Sequence, residues 1–259
     1  MNFFVEGIQG SGKSTLVKTL AGLLPEHIVF QEGDVSPVEL AWCAYVDREK
    51  YGRLLEKYAP IRQEIEERSV CEEGHVIIPY TRILTDLPGF HKDLEQYEIY
   101  NGRTGLEEFK QIVLSRYKRW DGQDGIFECS LFQNTIEDMI LFRCMKDEEI
   151  LDFYKEVKDS LEGKIYRIIY LETRDFEGNL NAIRKERSDD AGNEMWFPLM
   201  MGYFNDSPYA RETGESGEEA LLAHFKHRQE LELRICREIF GDRSKIQVSR
   251  KWDAETLQL

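Results

Sequence analysis

The sequence predicts a three-layer α/β fold: a parallel sheet of about five strands flanked by helices, with a helical lid. Three observations carry that expectation. Short apolar runs alternate with stretches of helical period along the chain. The first run, "NFFVE" at 2–6, leads into a glycine-rich loop and then a helix. "IYRIIYL" at 165–171 is a continuous apolar run of strand length, as a strand covered on both faces requires.

After the loop, Leu16, Val17, Leu20, Leu23 and Leu24 recur at helical spacing, and Pro25 stops the helix. "HIVF" at 27–30 reads as the second strand. "SPVE" at 36–39 offers Ser as cap, Pro at the first helical position and Glu at the third, which predicts a helix to about Ala59, broken by Pro60. A second helical stretch then runs to near Gly74. "VIIPYTRI" at 76–83 is apolar enough for a strand, but Pro79 restricts it to an edge or a loop. The stretch 85–104 reads as irregular. "TGLE" at 104–107 is a capping box for a helix to about Trp120, and "IFEC" at 126–129 is the third strand. Helices are expected at 135–146 and 148–162, the latter closed by Gly163. After the strand at 165–171 they recur at 176–187 and 194–204. A polar loop at 205–217, a long helix at 217–240 ending at Gly241, and a last strand "KIQVS" at 245–249 complete the chain. The expected organisation is a single domain over 1–259, with 60–104 inserted and 176–204 forming the lid.

The chain has 259 residues and a net charge of −15, from 34 basic and 49 acidic residues. Such a field repels nucleic acid polymers and anionic membranes, so neither is an expected partner. Five cysteines, none in C-x-x-C spacing, suit reduced thiols rather than a disulfide frame or a zinc site. No secretion signal and no run of membrane-span length is evident, which predicts a soluble cytoplasmic protein. A homodimer is left open.

Gly7, Gly12, Lys13 and Ser14 match G-x-x-x-x-G-K-[ST] without a gap, between a predicted strand and a predicted helix. Each residue type has a reason. Glycines, Gly10 included, let backbone N–H groups turn inward and approach phosphate oxygens, with Ser11 between them. The helix beginning near Lys13 adds its positive dipole end. Lys13 places a charge on the β- and γ-phosphates, the Ser14 hydroxyl ligates Mg²⁺, and Thr15 is a further phosphate contact. The loop is therefore expected to hold ATP with Mg²⁺.

Ligands of open α/β sheets bind at the carboxyl ends of the strands. The second strand ends in "FQEGDV", so Glu32 or Asp34 could accept a proton from an attacking hydroxyl, with Glu32 slightly favoured. The third ends in "FECS", where Glu128 suits a hold on a Mg²⁺-bound water. After the fourth strand, "NAIRKERSDD" places Arg184 and Arg187 three apart on one helix face, suited to closing over ATP. His224 and His227 share a helix face without a third metal ligand. "YKRW" at 117–120 lies in acidic surroundings that do not suit a nucleic-acid patch.

In this order, "GIQGSGKST", "QEGD…AW", "ECS" and "RKERSDD" resemble the deoxynucleoside kinases, within the nucleoside and nucleotide kinase group of P-loop proteins. The resemblance covers most of the chain in outline, and the phosphate-loop motif is its specific part. It implies Glu32 as the base, Glu128 as a magnesium-shell acid, and Arg184 and Arg187 as lid arginines. It further implies Gln111 and Arg116 as substrate contacts on "QIVLSRYKRW", with Trp42 or Tyr45 as a stacking surface. Cys129 departs from the family's Arg, and Asn134 from a base-contacting Asp. The insertion adds Arg82 and Arg103, either anion binders or salt-bridge partners. The implied activity is transfer of the γ-phosphoryl group of ATP to a small-molecule acceptor, a nucleoside or nucleotide first. An antibiotic or other metabolite is the alternative acceptor, and a nucleotide-binding switch is the alternative class.

Overall fold

The computed structural model describes residues 1–249. Its main sheet has five strands in the order β2-β6-β1-β7-β8. These are β1 (Asn2–Glu6), β2 (Ile28–Phe30), β6 (Gly125–Glu128), β7 (Tyr166–Glu172) and β8 (Ser244–Val248). The pairings β1 with β6, β1 with β7 and β7 with β8 are parallel. The sheet and its flanking helices are those the sequence predicts. Helix α1 (Lys13–Leu23) packs on β1 and β6.

Strand alternation divides the core. Phe3 and Val5 join Leu16, Val17 and Leu20 of α1, with Ile126, Ile169 and Leu171 from the neighbouring strands. Phe4 points to the other face, stacked on Phe127 at 4.9 Å and edge-on to Tyr166 at 5.9 Å. The chain leaves β1 for β2 on one side and leaves β6 for β7 on the other. Adjacent β1 and β6 therefore form a switch point, and their carboxyl ends open the crevice where ligands of such sheets bind.

Two compact units result. Among the described residues, one comprises Met1–Val29 with 121–249, and the other is Phe30–Trp120. The expected insertion at 60–104 is the middle of the second unit. That unit has its own three-stranded antiparallel sheet, order β3-β5-β4, from β3 (Ala44–Asp47), β4 (Val70–Glu72) and β5 (His75–Ile78). Its core gathers Val46, Leu54, Ile65, Ile78, Tyr80 and Phe90 among others.

Most departures from the sequence reading fall in this second unit. No helix starts at 36–39. Ser36 Oγ accepts from Val38 N at 3.2 Å, and Glu39 Oε1 accepts from Ala41 N at 2.7 Å, so both capping side chains serve local turns instead. Residues 44–47 then pair with β5, and α2 (Arg48–Lys57) starts only after Asp47, whose carboxylate accepts from Lys50 N at 2.7 Å. The next helix, α3 (Arg62–Arg68), ends six residues short of Gly74, where the β4–β5 hairpin takes over. Strand β5 is central, not an edge: Pro79 lies just past its last residue and removes no ladder bond. Helix α4 (Phe90–Glu95) interrupts the stretch expected to be irregular. Helix α5 (Leu106–Arg119) forms as expected, but Gly105 is its cap and Thr104 Oγ donates to Ile99 O at 2.9 Å.

In the first unit, α6 (Gln133–Leu141), α7 (Asp147–Ser160), α8 (Phe176–Glu186) and α9 (Trp196–Asn205) lie near their expected places. The polar loop at 205–217 contains a short helix, α10 (Pro208–Thr213), with Ser207 as cap and Pro208 at its first position. The long helix α11 (Gly217–Arg234) stops earlier than 240 and continues as a π-helical turn, Ile235–Phe240.

Candidate active site

The loop after β1 has a backbone that glycine alone suits. Gly7, Gly10 and Gly12 have φ of 141°, 77° and 94°. A Cβ on Gly7 would lie 2.7 Å from Leu171 O and 2.8 Å from Ser11 Oγ. Lys13 opens α1 with its side chain turned back into the loop: Nζ donates to Gly7 O at 2.7 Å and to Ile8 O at 2.8 Å. Ser11 is fully buried and its Oγ has no hydrogen-bond partner among the described residues. The first turn of α1 carries no acid of its own, which leaves its N–H groups and dipole available to an anion. A cradle that a Cβ would fill, an orphaned hydroxyl and an ammonium resting on loop carbonyls fit a polyphosphate.

Beside the loop, Ser14 Oγ donates to Glu128 Oε1 at 2.5 Å. Ser14 is exposed in the first turn of α1, whereas Glu128 is the buried last residue of β6. A hydroxyl and a carboxylate, oxygens of the kind Mg²⁺ selects, thus meet at the switch point. The backbone behind Glu128 is constrained. Cys129 has φ of 59°, uncommon without glycine, and its N–H donates to Val5 O at 3.2 Å. The Ser130 hydroxyl donates to Glu128 O at 3.1 Å.

One acid near the loop escaped the sequence reading. Glu6, the last residue of β1, is fully buried; its carboxyl oxygens accept from Leu131 N at 2.8 Å and Phe132 N at 3.2 Å. Burial pushes it up to about 8, against those two donors. The available signal was an acid ending an apolar strand directly before the glycines.

The lid arginines are engaged with protein partners. Arg184 Nε donates to Glu194 at 2.7 Å, Nη1 donates to Glu218 at 3.1 Å, and the guanidinium sits 3.9 Å from the Phe197 ring centroid. Arg187 lies over Trp196 at 5.6 Å. The two do not converge on one target. His224 is buried beside Glu137, and His227 lies 2.8 Å from Asp147. Among the described residues, no group of three or more His, Cys, Asp or Glu is placed to hold a metal ion.

The remaining sequence candidates lie in the second unit. The Trp42 indole N–H donates to Glu32 Oε1 at 3.3 Å; Trp42 itself is half-exposed with φ of 62°. Both oxygens of Asp34 are engaged, one by Gln31 N at 2.9 Å and one by Arg82 at 2.9 Å. Tyr45 stacks on His75 at 4.4 Å. Gln111 is exposed on α5. Arg116, on the same helix, is buried and donates to Glu72 and to Ser36 O, so its place is the interior of this unit. Arg103 pairs with Glu98 at 2.8 Å and with Glu95. Tyr117 and Trp120 are core residues, which removes "YKRW" as a surface patch.

No family model matches the chain, and no curated protein matches it. Among solved structures it is similar to a gluconokinase from Sinorhizobium meliloti 1021, with 12% identity and a TM-score of 0.35, over 99% of this chain and 87% of that one. A likeness at that distance transfers neither activity nor substrate. No helix among the described residues is long and apolar enough to cross a membrane.

Proposed function

We propose that this chain is an ATP- and Mg²⁺-dependent small-molecule kinase that transfers the γ-phosphoryl group to a nucleoside or nucleotide. The observation that carries the reading is the 2.5 Å contact of Ser14 with Glu128 beside a loop built to cradle phosphate. The backbone of 7–15 binds the phosphates, and Lys13 leaves its two loop carbonyls to meet the β- and γ-oxygens. Ser14 and Glu128 would hold Mg²⁺, which when bound neutralises charge on the phosphate oxygens. Arg184 and Arg187 of α8 supply further positive charge to the transferring group once released from Glu194, Glu218 and Trp196. Glu32 is assigned the base on the motif order, with Asp34 as the alternative; both carboxylates hold protein partners that the acceptor would have to displace.

The acceptor class rests on the resemblance in motif order, and the Cys129 departure makes an acceptor outside the nucleosides the second reading. The test is transfer of labelled γ-phosphate from Mg²⁺·ATP to pooled nucleosides and nucleoside monophosphates, with products separated. A labelled product that falls by at least about a hundredfold in Lys13→Ala is the expected result. ATP binding with no nucleoside product would sink the acceptor assignment and direct the panel to other hydroxyl metabolites.

A further inference from the structure

The phosphate loop has little stiffness of its own, because three of its six residues are glycines. Besides the Ser11 N–H to Ile8 O turn and the Lys13 ammonium on the Gly7 and Ile8 carbonyls, its shape is held from distant elements. Gln9, midway along the loop, is gripped twice. Its backbone O accepts from Asn179 Nδ2 of α8 at 2.7 Å. Its side-chain Oε1 accepts from Arg228 Nη2 of α11 at 2.6 Å. Arg228 is fully buried, and each edge of its guanidinium has a separate job. Nη1 donates to Glu137 of α6, and Nε lies 3.1 Å from Glu232. Glu232 in turn accepts from the Tyr170 hydroxyl of β7 at 2.6 Å.

Two carboxyl groups, Glu137 and Glu232, already lie against this cation, and a buried ion pair is by itself weak evidence for stability. The third edge is spent on a neutral amide in the phosphate loop, where it adds position rather than charge balance. We propose that Arg228 is a positioning residue for nucleotide binding: through Gln9 it transmits the fixed geometry of α6, α11 and β7 to the loop backbone. Arg228 does not touch ATP. It holds the loop N–H groups at the curvature that a polyphosphate needs, so that less ordering is left for the binding step.

This inference rests on the kinase reading, and the test separates the two. Fluorescent ATP is titrated into the full chain with Mg²⁺, for wild type, Gln9→Met, Arg228→Lys and the double variant. KM for ATP and for the acceptor is measured alongside. Gln9→Met keeps the side-chain length and leaves the ion pairs intact, so it tests the contact even if Arg228→Lys folds poorly. The expected result is that Gln9→Met weakens ATP binding about tenfold. The acceptor KM should stay unchanged, with a cooperative melt retained and its midpoint lowered by no more than about 10 °C, since one buried N–H edge loses its acceptor. In the double variant the two losses should not add, since both remove one contact. Unchanged ATP affinity in Gln9→Met, or additive losses, would overturn the positioning role while leaving the kinase standing. Wild-type protein that binds no ATP would overturn both.

Discussion

Each unit buries an arginine among acids, and the two arginines do different work. In the first unit, Arg228 lies between Glu137 and Glu232 and reaches into a loop whose motif announces it in the sequence. In the second, Arg116 donates to Glu72 of β4 and to the carbonyl of Ser36. That carbonyl belongs to the segment whose sequence reads as the start of a helix. A buried guanidinium takes the place of a helical N–H there, and the backbone of 36–43 gives up the helix at little cost in unmade hydrogen bonds. The same chemistry thus secures a locally encoded loop in one unit and overrides a local signal in the other.

The largest effect is expected from truncating Arg116. Arg116→Met leaves Ser36 O and Glu72 without their partner and should cost about 3–5 kcal/mol in chemical denaturation. A cost below about 1 kcal/mol would mean that the segment at 36–43 holds its shape unaided.

Buried acids sharpen the contrast through pH. Glu6 of the first unit is pushed up to about 8 by burial, and Glu39 of the second to about 7 by the same cause. Folded protein then holds protons that unfolded chain releases above its ordinary carboxylate value of 4.5. Stability therefore falls as pH rises from about 4.5, to about 7 for Glu39 and on to about 8 for Glu6. Melting curves between pH 7 and 8 should show a slope in wild type that Glu6→Gln flattens and Glu39→Gln retains. Equal slopes in all three would remove Glu6 as the source. Glu137 has the opposite sign: the Arg228 charge holds it at about 2, so its contribution is present above 4.5 and lost as pH falls toward 2.

A smaller effect is expected from backbone. Gly7→Ala forces a Cβ to 2.7 Å from Leu171 O at a φ of 141°, and should cost about 1–3 kcal/mol together with ATP binding. Smallest of all, Arg53→Ala breaks an exposed i,i+4 pair with Glu49 at 2.7 Å and should change stability by less than about 0.5 kcal/mol.

The sequence made the first unit legible because its signals are local. The strand at 2–6, the loop and the helix at Lys13 are contiguous, and β7 is one apolar run. Glu128 and Glu6 both end apolar strands, so that pattern alone does not separate them; the contact of Glu128 with Ser14 spans 114 residues and could not be read from spacing. Gln9 and Arg228 lie 219 residues apart, and no local pattern joins them. In the second unit the deciding partners are distant as well. Residues 44–47 become a strand only because 75–78 lie alongside, and Arg116 reaches Ser36 across 80 residues. There, tertiary pairing outweighed the capping signal.

The most direct test of the central claim, that Ser14 and Glu128 complete a Mg²⁺·ATP site, is calorimetric titration of ATP with and without Mg²⁺. Wild type and Glu128→Gln would be compared at equal thermal stability. Mg²⁺ should tighten ATP binding to wild type by about tenfold or more, and Glu128→Gln should lose most of that gain while still binding ATP. The same Mg²⁺ gain in both proteins, or no ATP binding by wild type, would contradict the claim.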